Sequence, residues 1–285
     1  MNLKIAALAG LGIAALASSA SAEIVYGVTL NQTLVSWNHN TPGTLNSGVA
    51  IWGMASNETV QGLDFRPATG ELYALGSFSR LYKVDPMTGM ATQAGANFTT
   101  ALNGSSFGFD FNPTVDRIRM VSDADQNLRG HPDTGAITVD GTLNYVSGDA
   151  NFGVNPNIVA AAYTNNFSGA TSTSLYVLDA GLDALVMQNP ANSGNLITIG
   201  SLGADVTDFA SFDISGATGV AYAVIRDVNL NRSTFWTINL ATGAGTMVGE
   251  IGGGAIITSM TVAIPAPGAA ALAGIACLGM ARRRR

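Results

Sequence analysis

Residues 62–76 read GLDFRPATGELYALG, and residues 108–121 read GFDFNPTVDRIRMV. Asp64 and Asp110 hold the same place in the two stretches, 46 residues apart. A third copy of the small–apolar–Asp–apolar opening stands at Ser211-Phe212-Asp213-Ile214. Eight or nine residues after each Asp comes a second apolar run: Leu72-Tyr73, Ile118-Arg119 and Ala221-Tyr222. A third run leads into Thr88-Gly89, Thr134-Gly135 or Thr242-Gly243, and a fourth follows at 90–94, 136–139 and 245–248. Residues 160–199 fit one more copy, with four extra residues in the first turn and Tyr163 in place of the Asp.

The runs are short, β-rich and bounded by Gly, Asn, Asp, Pro and Thr-Gly turns, with no helical period, which reads as all-β. Four strands in a unit of about 46 to 52 residues is the pattern of a β-propeller blade. A lone blade cannot bury both faces, so blades must pack on neighbours around an axis. Four units are complete. The remaining apolar runs lie at 24–28 and 34–37 at the front and at 256–262 at the back. The last of these, as inner strand, completes a blade with the N-terminal runs. The sequence thus predicts a five-bladed propeller with the closing blade shared between the termini. Six blades, and a pair of β-sandwiches, are the alternatives. Tyr73, Tyr82, Tyr176 and Tyr222 are expected in the core between blades.

GLDFRPATGELYALG, FGFDFNPTVDRIRMVSDADQNLR, AAAYTNN and TSLYVLD together resemble the bacterial family known as domain of unknown function 4394. The resemblance covers about residues 24–260 and implies a propeller-like fold. It implies no activity and no catalytic residues.

The ends read as addresses. Met1-Asn2-Leu3-Lys4, an apolar run from Ile5 to Ala17 and Ala20-Ser21-Ala22 have the form of a secretory signal peptide cleaved after Ala22. Pro265-Ala266-Pro267-Gly268, an apolar stretch and Arg282–Arg285 resemble a PEP-CTERM sorting signal, with Pro-Ala-Pro where that signal has Pro-Glu-Pro. A plain C-terminal membrane anchor is the alternative for residues 264–285. The sorting signal implies an exosortase-type enzyme as a partner. It also implies transient anchoring and a final place outside the cell or on its surface. Cys277, the only cysteine, lies in this tail, so the propeller of residues 23–263 is expected to have neither a disulfide nor a thiol nucleophile.

The full chain has 13 basic and 19 acidic residues; without the two end segments 8 basic remain against the same 19, net −11. That balance lacks the basic footprint of a nucleic-acid binder. The six N-x-S/T triplets follow from an Asn-, Ser- and Thr-rich surface.

Asp64, Asp110 and Asp213 are the foremost site candidates. If the first strand of each blade lines the axis, they converge near the channel as a cation or polar ligand site. Asn112, Asn165 and Arg66 lie two residues from the repeat position, on the same strand face. The competing role for each Asp is to bond backbone amides in its blade's first turn. Asp123, Asp125 and Asn127 have the D-x-D-x-N spacing that opens a calcium loop. Leu128 replaces the expected Gly and Thr134 the closing Glu, which excludes an EF-hand and leaves only a looser calcium turn. Asp116-Arg117-Ile118-Arg119 reads as an anion site or a salt-bridged edge. His39 and His131 have no metal-ligand or nucleophile partner at suitable spacing. Glu23, Glu58, Glu71 and Glu250 fall outside the predicted inner strands. The favoured function is a non-enzymatic binding or structural propeller for polysaccharide or protein partners, at the cell surface or outside the cell. The alternative is a calcium-dependent, lactonase-like hydrolase with its site at the channel mouth.

Overall fold

Alternation of apolar and polar residues with Gly-bearing turns at short intervals gives antiparallel sheets, and the chain forms five of them. The computed structural model describes residues 22–264. The signal-peptide residues before Ala22, the motif Pro265-Ala266-Pro267-Gly268 and Cys277 lie outside the described residues.

The first full blade is β4 (Val60–Phe65), β5 (Leu72–Gly76), β6 (Arg80–Val84) and β7 (Ala91–Ala94). The second is β8 (Phe107–Asn112), β9 (Arg117–Ser122), β10 (Asn127–Gly130) and β11 (Ile137–Val139). The third is β13 (Ile158–Tyr163), β14 (Leu175–Asp179), β15 (Ala184–Gln188) and β16 (Asn195–Ser201). The fourth is β17 (Ser211–Ile214), β18 (Ala221–Asp227), β19 (Arg232–Ile238) and β20 (Gly245–Glu250). The closing blade takes β1 (Ile24–Thr29), β2 (Thr33–Asn38) and β3 (Leu45–Ala50) from the front of the chain and β21 (Ile257–Val262) from the back. β21 is its inner strand, antiparallel to β1 in the register Val25↔Val262 to Val28↔Ser259. The structure is therefore the five-bladed propeller that the repeats predict. It adds one strand that they do not: β12 (Asn144–Tyr145) pairs in parallel with β16, outside the third blade. Buried Tyr145 holds it there by donating its hydroxyl to Asp179 at 2.6 Å.

The apolar residues divide into five clusters, one in each wedge between blades. Tyr73, Leu75 and Leu81 meet Phe109, Phe111 and Ile118 between the first and second blades. Tyr222 and Phe235 meet Val25, Val35 and Trp37 between the fourth and closing blades. Inner strands β8, β13 and β17 are buried almost throughout, whereas outer strands β3 and β20 are largely exposed. Tyr73, Tyr82 and Tyr222 are buried as expected, and Tyr176 is half-buried against the wedge between the third and fourth blades.

Glycines fix this geometry in two kinds of place, the Thr-Gly turns and an inner strand. Gly89, Gly135 and Gly243 have φ of +73°, +73° and +82°, the left-handed region that the Thr-Gly turns require. Gly108, on an inner strand, allows close approach of the second and third blades. A Cβ there would lie 2.6 Å from both the Ala161 Cβ and the Ala161 backbone nitrogen. Backbone cannot give way, so Gly108→Ala is expected to cost about 3 kcal/mol, the upper end of overpacking penalties. Chemical denaturation checks this; an unchanged midpoint would mean that the blades are not in register at Gly108.

Candidate functional site

Because inner strands run side by side around the axis, the third residue of each repeat opening points to the same level. Those residues are Asp64, Asp110, Tyr163, Asp213 and Thr261. The three carboxylates do converge: one oxygen from each lies within 4.8 Å of the others. Asp64 and Asp110 are 1% exposed and Asp213 2%.

Their partners differ from the first-turn amides that the sequence suggests. Asp64 Oδ1 accepts from the amide of Phe65 (2.7 Å), and its Oδ2 accepts from Phe111 of the next blade (2.8 Å). Asp213 Oδ1 accepts from Ile214 (2.6 Å), and its Oδ2 from Val262 of the next blade (2.6 Å). Asp110 Oδ1 accepts from the amide of Tyr163, again in the next blade, at 3.1 Å. Each Asp thus pins the neighbouring inner strand, and it is an amide outside the turn that it bonds. Five of the six carboxylate oxygens accept backbone amide hydrogen bonds; Asp110 Oδ2 accepts from no donor among the described residues.

Thr261 completes the cluster. Its hydroxyl is 2.9 Å from Asp64 Oδ1 and 3.0 Å from Asp213 Oδ2. A hydroxyl has one proton to give. The proton is shared between the two carboxylates in a three-centre bond, or one of the two carboxyls is protonated and donates back to the hydroxyl. The electrostatics agree with the second arrangement. Burial, then the Asp213 charge, raises the Asp64 carboxyl well above its usual range. Burial, then Asp64 and Asp213, does the same to Asp110. Burial pushes Asp213 up to about 6, against the pull of its amide and hydroxyl donors.

Other candidates lie elsewhere. Asn112 Oδ1 caps its turn by accepting from the amide (3.0 Å) and hydroxyl (2.7 Å) of Thr114. Asn165 is exposed at φ +57°, and its amide donates to the Ser172 carbonyl at 2.9 Å. Arg66 is buried between Asp116 and Asp133, with Tyr73 as a third partner. In the D-x-D-x-N segment, Asp123 accepts from the amide and hydroxyl of Ser105. Asp125 Oδ1 has no partner among the described residues. Asn127 Oδ1 is already engaged by Arg119 (2.7 Å) and Gln188 (3.2 Å). His39 Nδ1 accepts the backbone N–H of Glu23, 16 residues away, and His131 Nδ1 accepts that of Asp133, two residues on.

One concave region lies at the ends of β8 and β13. Two adjoining cavities of about 320 and about 350 Å³ share Asn112, Tyr163 and Asn192. The first is also lined by Thr173, Ser174, Gln188 and Asn189, and the second by Arg117, Arg119 and Arg129. Gln188 is buried and donates from Nε2 to Asn127 and Ala191, while its Oε1, also buried, has no partner among the described residues. Arg119, 2% exposed, donates to Asn127, Asp140 and Asn192. Sequence reasoning marks Arg119 but misses Asp140 and Asn192, which are 21 and 73 residues away. It also misses Thr261. Aligning Ser259-Met260-Thr261 with Ser211-Phe212-Asp213 is the signal that would have found it.

The profile of the Domain of unknown function (DUF4394) matches residues 33–261, which include every axial side chain and both cavities. The chain belongs to this family. Among curated proteins none matches it. Solved structures similar to this family member include a protein of unknown function from Bacteroides thetaiotaomicron, with 15% identity, 86% of this chain and 68% of that chain covered, and a TM-score of 0.48. TolB from Acinetobacter baumannii shares 13% identity over 86% of this chain and 67% of its own, with a TM-score of 0.44. A chain of a nidogen/laminin complex shares 13% over 85% of this chain and 98% of its own, with a TM-score of 0.42. No helix among the described residues is long and apolar enough to cross a membrane.

Proposed function

We propose that this protein is an exported, non-enzymatic propeller that binds polysaccharide, with protein surfaces as the other class of partner. The observation that carries the reading is the pair of adjoining cavities lined by Asn112, Tyr163, Thr173, Ser174, Gln188, Asn189 and Asn192. Amide and hydroxyl groups around an aromatic side chain supply the directional donors and acceptors that sugar hydroxyls need. Export rests on the signal-peptide pattern of residues 1–22 and the sorting pattern of 264–285, with an exosortase-type enzyme as processing partner.

Affinity electrophoresis through gels containing single polysaccharides tests this. At least one glycan should retard the 23–264 chain. Ser174→Trp, which fills the first cavity from an exposed position, should abolish the retardation without lowering the melting temperature. Retardation by no glycan would sink the reading.

The competing reading, a calcium-dependent hydrolase, draws on the approach of Asp64, Asp110 and Asp213 within 4.8 Å. Against it stands the burial of these groups and the use of five of their six oxygens to hold inner strands together.

A further inference from the structure

The 23–264 chain carries eight cationic side chains, and three of them line one cavity: Arg117, Arg119 and Arg129. A single carboxylate serves two of these. Asp140 Oδ2 lies 2.7 Å from Arg119 Nη1 and 2.6 Å from Arg129 Nε, while its Oδ1 lies 2.9 Å from Arg129 Nη2. Arg117 has no carboxylate partner among the described residues. Its Nη1 donates to the carbonyls of Val115 (3.4 Å) and Asp116 (2.8 Å), which leaves Nε and Nη2 without protein acceptors. Arg129 likewise spends only Nε and Nη2, and its side chain is 35% exposed.

The wall therefore holds three guanidinium groups against one carboxylate, in a propeller whose net charge is −11. Folding does not require this surplus. Asp140 already satisfies buried Arg119, and Arg117 adds repulsion without an ion pair. A guanidinium offers paired N–H donors in the plane that carboxylates and oxyanion esters fit. The cavity of about 350 Å³ has room for one sugar ring, and the shared residues Asn112, Tyr163 and Asn192 lead into the neighbouring cavity of hydroxyls and amides.

We infer that the Arg117–Arg119–Arg129 cavity binds the negatively charged group of an anionic polysaccharide, a uronate carboxylate or a sulfate half-ester. Neighbouring sugar residues lie along Asn112, Tyr163 and the amide-lined cavity. The inference rests on the polysaccharide reading above and adds the charge of the ligand. General attraction does not favour it, since an acidic propeller repels polyanions at long range. Binding must come from this local site.

The test is calorimetric titration of the 23–264 chain with three probes: oligogalacturonate, its fully methyl-esterified neutral form, and dextran sulfate oligomers. Oligogalacturonate or dextran sulfate should bind at least ~10-fold more tightly than the neutral form, the factor of one charge-assisted pair. Which of the two binds identifies the anionic group. Arg117→Ala should remove that advantage, and Arg232→Ala, paired with Glu250 on the fourth blade, should not. Arg117 is partly exposed and has no ion pair among the described residues, so its loss leaves the fold intact; an unchanged melt verifies this. Equal binding of charged and neutral oligomers, or no effect of Arg117→Ala, overturns the anionic assignment and leaves polysaccharide binding standing. Failure of every oligomer, together with the gel result above, overturns both.

Discussion

A chain ending at residue 256 will not fold cooperatively, whereas one ending at Ile264 will show a single sharp thermal transition. The difference is β21, Ile257–Val262. Ile257, Met260 and Val262 are at most 3% exposed. Burying side chains of this kind contributes about 1.5–3 kcal/mol each, roughly 5–9 kcal/mol for the three. That is comparable to the whole stability of a typical domain, about 5–15 kcal/mol. Removing β21 also strips the Val262 amide from Asp213 and the Thr261 hydroxyl from Asp64 and Asp213. It further exposes the inner edge of β1 along its whole pairing register. Circular dichroism melts and dye binding of the two chains decide the matter. A cooperative melt of the shorter chain within a few degrees of the longer one would show that the ring need not close.

Asp110→Asn is expected to raise stability near pH 8, and Asp64→Asn to lower it. Asp110 accepts one amide, from Tyr163, and an asparagine oxygen serves that role equally well. The substitution also removes a group whose ionised form is opposed by burial and by Asp64 and Asp213. A rise of ~2–4 °C, the effect of about 1 kcal/mol in a domain of this size, should follow. Asp64 accepts an amide on each oxygen, from Phe65 and Phe111. Asparagine has one acceptor oxygen, so its NH₂ group would confront a buried N–H. Two donors left facing each other cost about 1–3 kcal/mol apiece, and a drop of ~6–10 °C is expected.

The pH dependence follows from the same groups. The Asp213 carboxyl titrates at about 6 in the folded chain, against about 3.9 when unfolded. Between those values the folded state holds more protons, so stability falls as pH rises through the window. The raised Asp64 and Asp110 carboxyls act in the same direction. The propeller should therefore melt higher at pH 4.5–5 than at pH 8 on account of this cluster, and Asp110→Asn should flatten the slope. Melts with calcium and with chelator, beside elemental analysis, complete the experiment. No shift is expected. A tightly held ion, a lower melt in chelator and destabilisation by Asp110→Asn would together establish a cation site and revive the hydrolase reading.

The blade count was legible because a blade is encoded locally. Period-2 alternation makes strands, and Thr-Gly sites such as Gly89 and Gly135 turn them at positive φ, so repetition alone exposes the architecture. The shared closing blade was legible too, because the apolar runs at the two ends add up to one unit. Even the convergence of Asp64, Asp110 and Asp213 follows from their equal place in the repeat. Contacts between blades were not legible in this way. Thr261 meets Asp64 across 197 residues and Asp213 across 48. Arg119 finds Asn192 across 73. β12, two residues long, joins the third blade in parallel and carries no repeat signal. The repeat determines which side chains face the axis and which face a wedge. Only ring closure decides which donor each one meets, because that depends on the rotation and spacing between neighbouring sheets, and no local pattern in the chain records either.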